Sequence, residues 1–139
     1  MFNHVMLGTN DIERAKRFYD QTLAVLDVSP GIANTNPEGR KRLFYLHPQG
    51  VFCVSEPLNG EPASSANGGT IGFSCTSEDQ VFAFHDAAVA AGGVSIEDPP
   101  GPRNPNVGGP TTLAYVRDLD GNKLCAVYRA AAYGGAKRA

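Results

Sequence analysis

The chain has 139 residues, with 12 Lys and Arg against 14 Asp and Glu, which gives a formal net charge of −2. This length predicts one ordinary domain that removes roughly two-thirds of its unfolded surface from water. The basic residues are scattered, and no apolar run reaches the roughly 18 residues needed to cross a bilayer. With no signal-peptide pattern at the start, we expect a cytoplasmic protein that binds neither nucleic acid nor membrane.

The first half predicts the order strand, helix and three strands. The alternating segment 2–8 is typical of a half-exposed strand. Asn10 or Asp11 opens a helix, with Glu13 at capping-box spacing from Asn10, and this helix ends before Ser29. The three strands that follow are predicted as a short irregular one within residues 31–40, then 42–46 and 51–55, before a connecting segment at 58–68.

The second half predicts the same order again. Residues 69–75 form a strand, Ser77 and Gln80 form a capping box, and a helix runs to Ala91. A short strand at 94–97 and a long Pro/Gly loop at 99–110 follow. A hairpin of residues 111–117 and 123–129, closed by the Asp-Leu-Asp-Gly-Asn turn, completes the pattern. The tail, 130–139, has too little apolar content to dock.

A constant spacing of 66 residues relates the two halves. It connects five pairs of similar position, namely His4/Thr70, Val5/Ile71, Leu7/Phe73, Phe18/Phe84 and Asp20/Asp86. This spacing predicts a duplicated strand-helix unit, in which positions facing a shared site come in pairs. The first copy has a histidine where the second has a threonine, which is a poor metal ligand.

Four segments carry a resemblance to a known family: Asn3-His4-Val5, residues 11–19 ending in Arg-Phe-Tyr, residues 69–73, and residues 117–124 around the Asp-Leu-Asp-Gly-Asn turn. The chain resembles the vicinal oxygen chelate superfamily, which includes glyoxalase I, bleomycin-resistance proteins and extradiol dioxygenases. The resemblance implies an α+β fold of two tandem βαβββ modules, forming an open, barrel-like curved sheet around a central cavity with the helices outside. One domain, 1–139, would then comprise module one at about 2–57, a linker at 58–68, module two at about 69–129 and the tail.

Strand alternation predicts which side chains face that cavity, because neighbouring residues on a strand point to opposite sides. Small or mildly polar residues dominate the predicted lining, which suits a small-molecule ligand. Its members are His4, Met6, Cys53, Ser55, Thr70, Gly72, Ser74, Lys123, Cys125 and Val127.

In metal-dependent members of the superfamily, the first and last strands of each copy supply the ligands of a divalent ion. By motif position these places fall on His4, Cys53, Thr70 and Cys125, and only His4 matches. Three alternatives remain open: a degenerate site without a tightly held metal, a zinc site of one imidazole and two thiolates, and a ligand set with one member at another position. We expect no metal cofactor in the main hypothesis, with His4 as the weak metal candidate. The three cysteines, Cys53, Cys75 and Cys125, form no close pair and predict buried thiols rather than disulfides.

The remaining candidates lie outside the four ligand positions. Tyr115 could donate a hydrogen bond to a ligand and Arg117 could hold an anion, if their strand face is the cavity face. Arg103, in the predicted Pro/Gly loop, is either a lid residue or exposed. His85 is interpreted as a packed or hydrogen-bonded histidine, and His47 as an exposed turn residue.

Three functional hypotheses follow. The first is a small-molecule-binding protein or metal-independent enzyme that uses the cavity, with His4 as its best acid/base candidate. The second is a divalent-metal-dependent lyase or isomerase resembling lactoylglutathione lyase. The third is a drug-binding resistance protein. We expect a homodimer, since the open sheets leave edges to cover, and the cavity lies either within one chain or across two.

Overall fold

The computed structural model describes residues 1–103 and 109–130, and its elements confirm the α+β class. Neither helix in these ranges is long and apolar enough to span a membrane. The elements in chain order are β1 (His4–Gly8), α1 (Ile12–Ala24), β2 (Ile32–Thr35), β3 (Lys41–His47), β4 (Gly50–Ser55), β5 (Ile71–Ser74), α2 (Glu78–Ala90), β6 (Val94–Arg103), β7 (Thr111–Arg117) and β8 (Lys123–Arg129).

The strands form two four-stranded sheets with the same internal order. The first sheet runs β1-β4-β3-β2 and the second runs β5-β8-β7-β6. In each sheet the first and last strands of the unit are parallel neighbours, and the remaining pairs are antiparallel. Met6 lies opposite Cys53 in the first sheet, and Gly72 lies opposite Cys125 in the second. The repeat read from the sequence is therefore a repeat of topology and of register.

Both helices begin at side-chain caps, but the capping box predicted for α1 at Asn10 is not formed. Asp11, not Asn10, is the N-cap of α1, and its carboxylate accepts a hydrogen bond from the Arg14 backbone N–H. The Asn10 side chain instead accepts a hydrogen bond from the backbone N–H of Ala63 in the linker. Ser77 caps α2 as predicted, accepting from the Gln80 N–H. Asp11 rather than Asn10 caps α1 because Asn10 makes a tertiary contact with the linker, which no local pattern encodes.

Two predicted boundaries in the second half are wrong. Thr70 precedes the strand, because β5 begins at Ile71. The first five residues of the predicted loop 99–110 belong instead to β6, which extends to Arg103. This strand is interrupted between Ile96 and Gly101, where the pairing with β7 shifts register. The rest of that loop up to residue 108, and the tail from 131 onward, lie outside the described residues.

The two modules share one core between their helix-bearing sides. The strand faces under the helices are apolar, and Val54, Leu124 and Ala126 on them are almost fully buried. Phe52 of β4 contacts Phe73 of β5, with ring centroids 5.3 Å apart. Helices α1 and α2 also pack against each other, whereas no strand of one sheet lies beside a strand of the other within residues 1–103 and 109–130. The opposite sides of the two sheets are therefore separate within one chain.

The turn at residues 118–122 ties the modules together. The Asp118 carboxylate accepts hydrogen bonds from the backbone N–H groups of Asp120 and Asn122, and from the Tyr19 hydroxyl of module one at 2.5 Å. Burial, and then the charge of Asp118, raises the pKa of Tyr19 well above its usual range, so the phenol stays protonated and donates. Asp120 adds an ion pair with Arg14 at 2.9 Å. This turn is a plain hairpin connection, as predicted, that also joins the two modules.

Candidate functional site

Each sheet has an open face, defined as the side away from the helices. On the first sheet this open face comprises His4, Met6, Ile32, Asn34, Arg42, Phe44, Leu46, Val51, Cys53 and Ser55, by strand alternation and register. On the second it comprises Gly72, Ser74, Val94, Ile96, Gly101, Arg103, Thr111, Leu113, Tyr115, Arg117, Lys123, Cys125, Val127 and Arg129. All predicted lining residues except Thr70, which precedes its strand, lie at these positions.

The open face of the first sheet is largely apolar. Met6, Ile32 and Leu46 are 47%, 54% and 57% exposed, values well above those of the core. His4 stands at the start of β1, exposed, and its Nδ1 accepts a hydrogen bond from the Asn3 side-chain amide at 2.8 Å. In the neutral imidazole this contact leaves the proton on Nε2, which is then available to a ligand.

The open face of the second sheet is polar at its centre. Tyr115 lies directly opposite Cys125 across the β7–β8 ladder, and the Cys125 thiol donates to the Ala126 carbonyl at 3.6 Å. Burial raises the pKa of both groups, that of Cys125 to about 11, so both are protonated at neutral pH. The Lys123 ammonium lies 4.8 Å from the centre of the Tyr115 ring and forms an ion pair with Glu97. Tyr115 therefore lies on the open face of the second sheet, beside a charged pair.

The two predicted arginines have different environments. Arg117 also lies on the open face, and its guanidinium donates to the Gly121 carbonyl at 2.7 Å. Arg103 is half-buried rather than exposed, and its guanidinium donates to the carbonyls of Asp98, Pro99 and Gly101. Through these bonds Arg103 stabilises the interruption of β6. Its prediction as a ligand contact stays a prediction.

The four positions aligned with metal ligands have a donor set that suits a divalent ion poorly. Cys53 and Cys125 are 1% and 4% exposed, and burial raises the pKa of each thiol, opposed at Cys53 by the charge of Arg42. Metal ligation requires the thiolate, which these surroundings disfavour. Within residues 1–103 and 109–130, no three His, Cys, Asp or Glu side chains come together as a ligand group. His4 and Cys125 stand on different sheets of the chain.

Glu97 is the site residue that the sequence interpretation missed. The sequence predicts Glu97 as the end of a short strand, whereas the interruption of β6 brings its carboxylate to Lys123. The signal in the sequence was the pair Pro99-Pro100, which removes two backbone donors from a strand and favours a bulge. Lys123 was predicted in the lining, but its partner was not.

Ser55 and Met6 also border a shallow cleft of about 370 Å³ at the end of β1. Linker residues from Pro57 to Ser64 form its other wall. The cleft therefore lies at the rim of the first open face and joins this face to the linker.

The other two histidines lie away from the open faces. His85, on α2, is hydrogen-bonded through Nε2 to the Ser95 hydroxyl at 2.8 Å, on the helix side of β6. His47 is exposed in the β3–β4 turn, where its Nδ1 accepts from the Gln49 N–H. Both environments agree with the interpretation of His85 as a hydrogen-bonded histidine and of His47 as an exposed turn residue.

Comparison with known proteins establishes the family. The model of the Glyoxalase/Bleomycin resistance protein/Dioxygenase superfamily matches residues 1–126. The chain belongs to this superfamily. The match covers both modules, so the superfamily resemblance inferred from four short segments is confirmed.

Individual relatives support the same assignment. A crystal structure of a glyoxalase/bleomycin resistance protein from Albidiferax ferrireducens T118 is 47% identical, with a TM-score of 0.85, covering 93% of this chain and 99% of that one. A protein of Vibrio cholerae serotype O1 named "Probable lactoylglutathione lyase" is 29% identical over 136 residues, covering 95% of this chain and 93% of its own. A glyoxalase-related enzyme from Fulvimarina pelagi, 21% identical with a TM-score of 0.67 over 93% of this chain and 88% of that one, shares the fold.

Proposed function

We propose that this protein binds a small molecule, or transforms one without a metal, in a cavity formed by its two kinds of open face. The observation that carries the proposal is the pair of protonated thiols, Cys53 and Cys125, at strand positions where metal-dependent relatives hold ion ligands. Hydrogen-bond donors remain at the site in Tyr115 and His4. These groups suit ligand binding and proton transfer better than Lewis-acid chemistry.

The cavity, in this proposal, lies across a homodimer. Within one chain the open faces belong to sheets that meet only through their helix sides and the shared core. The apolar side chains of Met6, Ile32 and Leu46 stay exposed until another surface covers them. A second copy would bring its second sheet over this first sheet, which places His4 of one chain near Cys125 of the other.

A variant whose new side chain fills part of the proposed cavity tests the site. A Cβ at Gly72 would meet only Val127 Cγ2, at 3.7 Å, so Gly72→Phe should fold normally while its ring fills the space beside Cys125. We expect compounds that raise the melting temperature of the wild-type dimer to lose this effect in Gly72→Phe and to keep it in Asp86→Ala, an exposed control on α2. Equal stabilisation of wild type and Gly72→Phe by every such compound would overturn the proposed cavity.

A metal-dependent lyase is the second candidate, favoured by the name of the Vibrio relative and by His4 at the one matching ligand position. Elemental analysis and calorimetric titration with Zn²⁺, Ni²⁺ and Mn²⁺ after metal-free purification distinguish the two. We expect no stoichiometric uptake. One ion per site, lost in His4→Ala, together with lactoylglutathione lyase activity, would favour the second candidate instead.

A further inference from the structure

The interruption of β6 holds Glu97 in a rare backbone conformation. Its φ is +61°, in the left-handed region that non-glycine residues seldom adopt. Such a conformation persists only where the surroundings enforce it, and it is commonly found at functional sites. The pairing partners show the insertion directly: β6 advances from Ile96 to Gly101 while β7 moves only from Tyr115 to Leu113.

Two basic residues stabilise this interruption. Arg103 donates to three backbone carbonyls in this interruption, those of Asp98, Pro99 and Gly101, and each bond is 3.0 to 3.1 Å long. Lys123 binds the Glu97 carboxylate itself, while its ammonium rests over the Tyr115 ring. The strand is therefore shaped so that the Glu97 carboxylate reaches Lys123 on an open face.

Positive charge predominates on that face. Among the described residues its strand positions include Arg103, Arg117, Lys123 and Arg129, against the single carboxylate of Glu97, although the whole chain has a net charge of −2. Lys123 and Glu97 keep 25% and 46% of their side chains exposed, so a ligand can reach the pair. A small anion would find there the Lys123 ammonium and the Arg117 guanidinium.

We propose that Glu97 is an internal stand-in for the carboxylate of the ligand, and that the cavity binds a small amphipathic organic acid whose carboxylate replaces Glu97 on Lys123. The apolar part of the acid packs against the first open face of the second copy, around Met6, Phe44 and Leu46. This inference rests on the proposed function, since it names the ligand class of the same cavity. Exchange of one carboxylate for another leaves Lys123 paired and lets residue 97 leave its left-handed conformation.

Calorimetry with 4-phenylbutyrate as the acid and 4-phenylbutanamide as its neutral analogue tests the inference on the full chain. Glu97→Gln removes the competing charge, and Glu97→Gly removes it while suiting the left-handed backbone. We expect both variants to bind the acid more tightly than wild type does, by about fivefold, the upper range for an exposed ion pair. Lys123→Met should weaken binding of the acid more than about tenfold, as expected for loss of a charged hydrogen bond. Lys41→Met, which removes a lysine from the first sheet, should change nothing.

The outcomes separate this inference from the proposed function. Acid and amide bound equally by wild type and by every Glu97 and Lys123 variant would overturn the carboxylate site and leave the cavity standing. Failure of both compounds to bind any variant would overturn this inference, while the melting-temperature test of Gly72→Phe still decides the proposed cavity. Unchanged affinity for the acid in both Glu97 variants, with the wild-type circular dichroism spectrum, would show that Glu97 does not compete for Lys123.

Discussion

The two sheets have the same strand order and register, yet equivalent positions on their open faces hold different chemistry. Aligning Cys53 with Cys125 places Leu46 with Arg117, Val51 with Lys123, Phe44 with Tyr115 and Met6 with Gly72. In each of these four pairs the first sheet has the more apolar or bulkier side chain, whereas Arg42/Leu113 and Ser55/Val127 show the reverse. The first open face is thus apolar around Met6, Phe44 and Leu46, and the second has charged and hydroxyl-bearing side chains with space at Gly72.

The phenylalanines at the centre of the shared core show no such divergence. Phe18 and Phe84, which occupy equivalent positions on α1 and α2, are 1% and 0% exposed. A duplicated unit needs both inner faces to build one core, because marginal stability leaves little room for polar substitutions there. The open faces carry no such requirement.

Removing the connection between the modules should have the largest effect. Asp118→Ala leaves the Tyr19 hydroxyl and the N–H groups of residues 120 and 122 without their acceptor. We expect a loss of about 3–4 kcal/mol in the free energy of unfolding, measured by urea denaturation with circular dichroism. The exposed Asp79→Ala in the first turn of α2 is the control. Two separate transitions in the wild type would contradict a single core shared by both modules.

Moving the charges of one open face onto the other tests the apolar-charged difference. In Leu46→Lys/Val51→Lys, the first face takes the charge pattern of the second, so two cationic faces would meet in the proposed dimer. We expect self-association to weaken at least about tenfold at low salt and to recover in part at high salt, by sedimentation equilibrium. Gln49→Lys adds a like charge in the neighbouring turn as a control. A wild-type monomer, or an unchanged dimer in the double variant, would exclude this mode of assembly.

The smallest effect concerns an equivalent pair of aspartates on the helices. Asp20 accepts hydrogen bonds from the Gly31 N–H and the Tyr45 hydroxyl, whereas the Asp86 side chain is 82% exposed. Burial alone would raise the pKa of Asp20, but the hydrogen bonds from Gly31, Lys16 and Tyr45 outweigh it and lower the pKa below 3.8. The stability that Asp20 contributes is therefore present above that pH and is lost as the pH falls through the folded-state pKa.

We expect Asp20→Asn to cost about 1 kcal/mol at pH 7, and Asp86→Asn less than about 0.5 kcal/mol. Urea denaturation between pH 2.5 and 7 measures both, and the loss of stability below pH 4 should be shallower in Asp20→Asn than in wild type. Equal effects of the two substitutions would indicate that the buried hydrogen bonds of Asp20 contribute nothing measurable.

Local pattern was sufficient to predict most of the fold. The alternation of β7 and β8, the Asp-Leu-Asp-Gly-Asn turn between them and the 66-residue spacing each follow from side-chain periodicity and turn chemistry. Both strands of that hairpin have the predicted bounds.

What the sequence left open depends on contacts between distant segments. Alternation assigns Met6 and Tyr115 to open faces, but it does not say whether two such faces meet within a chain, since that depends on how the inner faces pack. Nor does it locate Glu97, whose position depends on a register shift against β7 and on three bonds from Arg103. The difference between Asn10 and Asp11 as the N-cap likewise depends on a contact with Ala63, 53 residues away.

The hydrogen bond between Tyr19 and Asp118 also affects the order of events during synthesis. These residues are 99 positions apart, so the ribosome has made most of the chain before α1 can bury its tyrosine against its partner. Module one therefore emerges with its apolar helix side uncovered, because Phe73 and α2 also come later. We expect this nascent module to depend on chaperones, or on slow translation, until the final hairpin arrives.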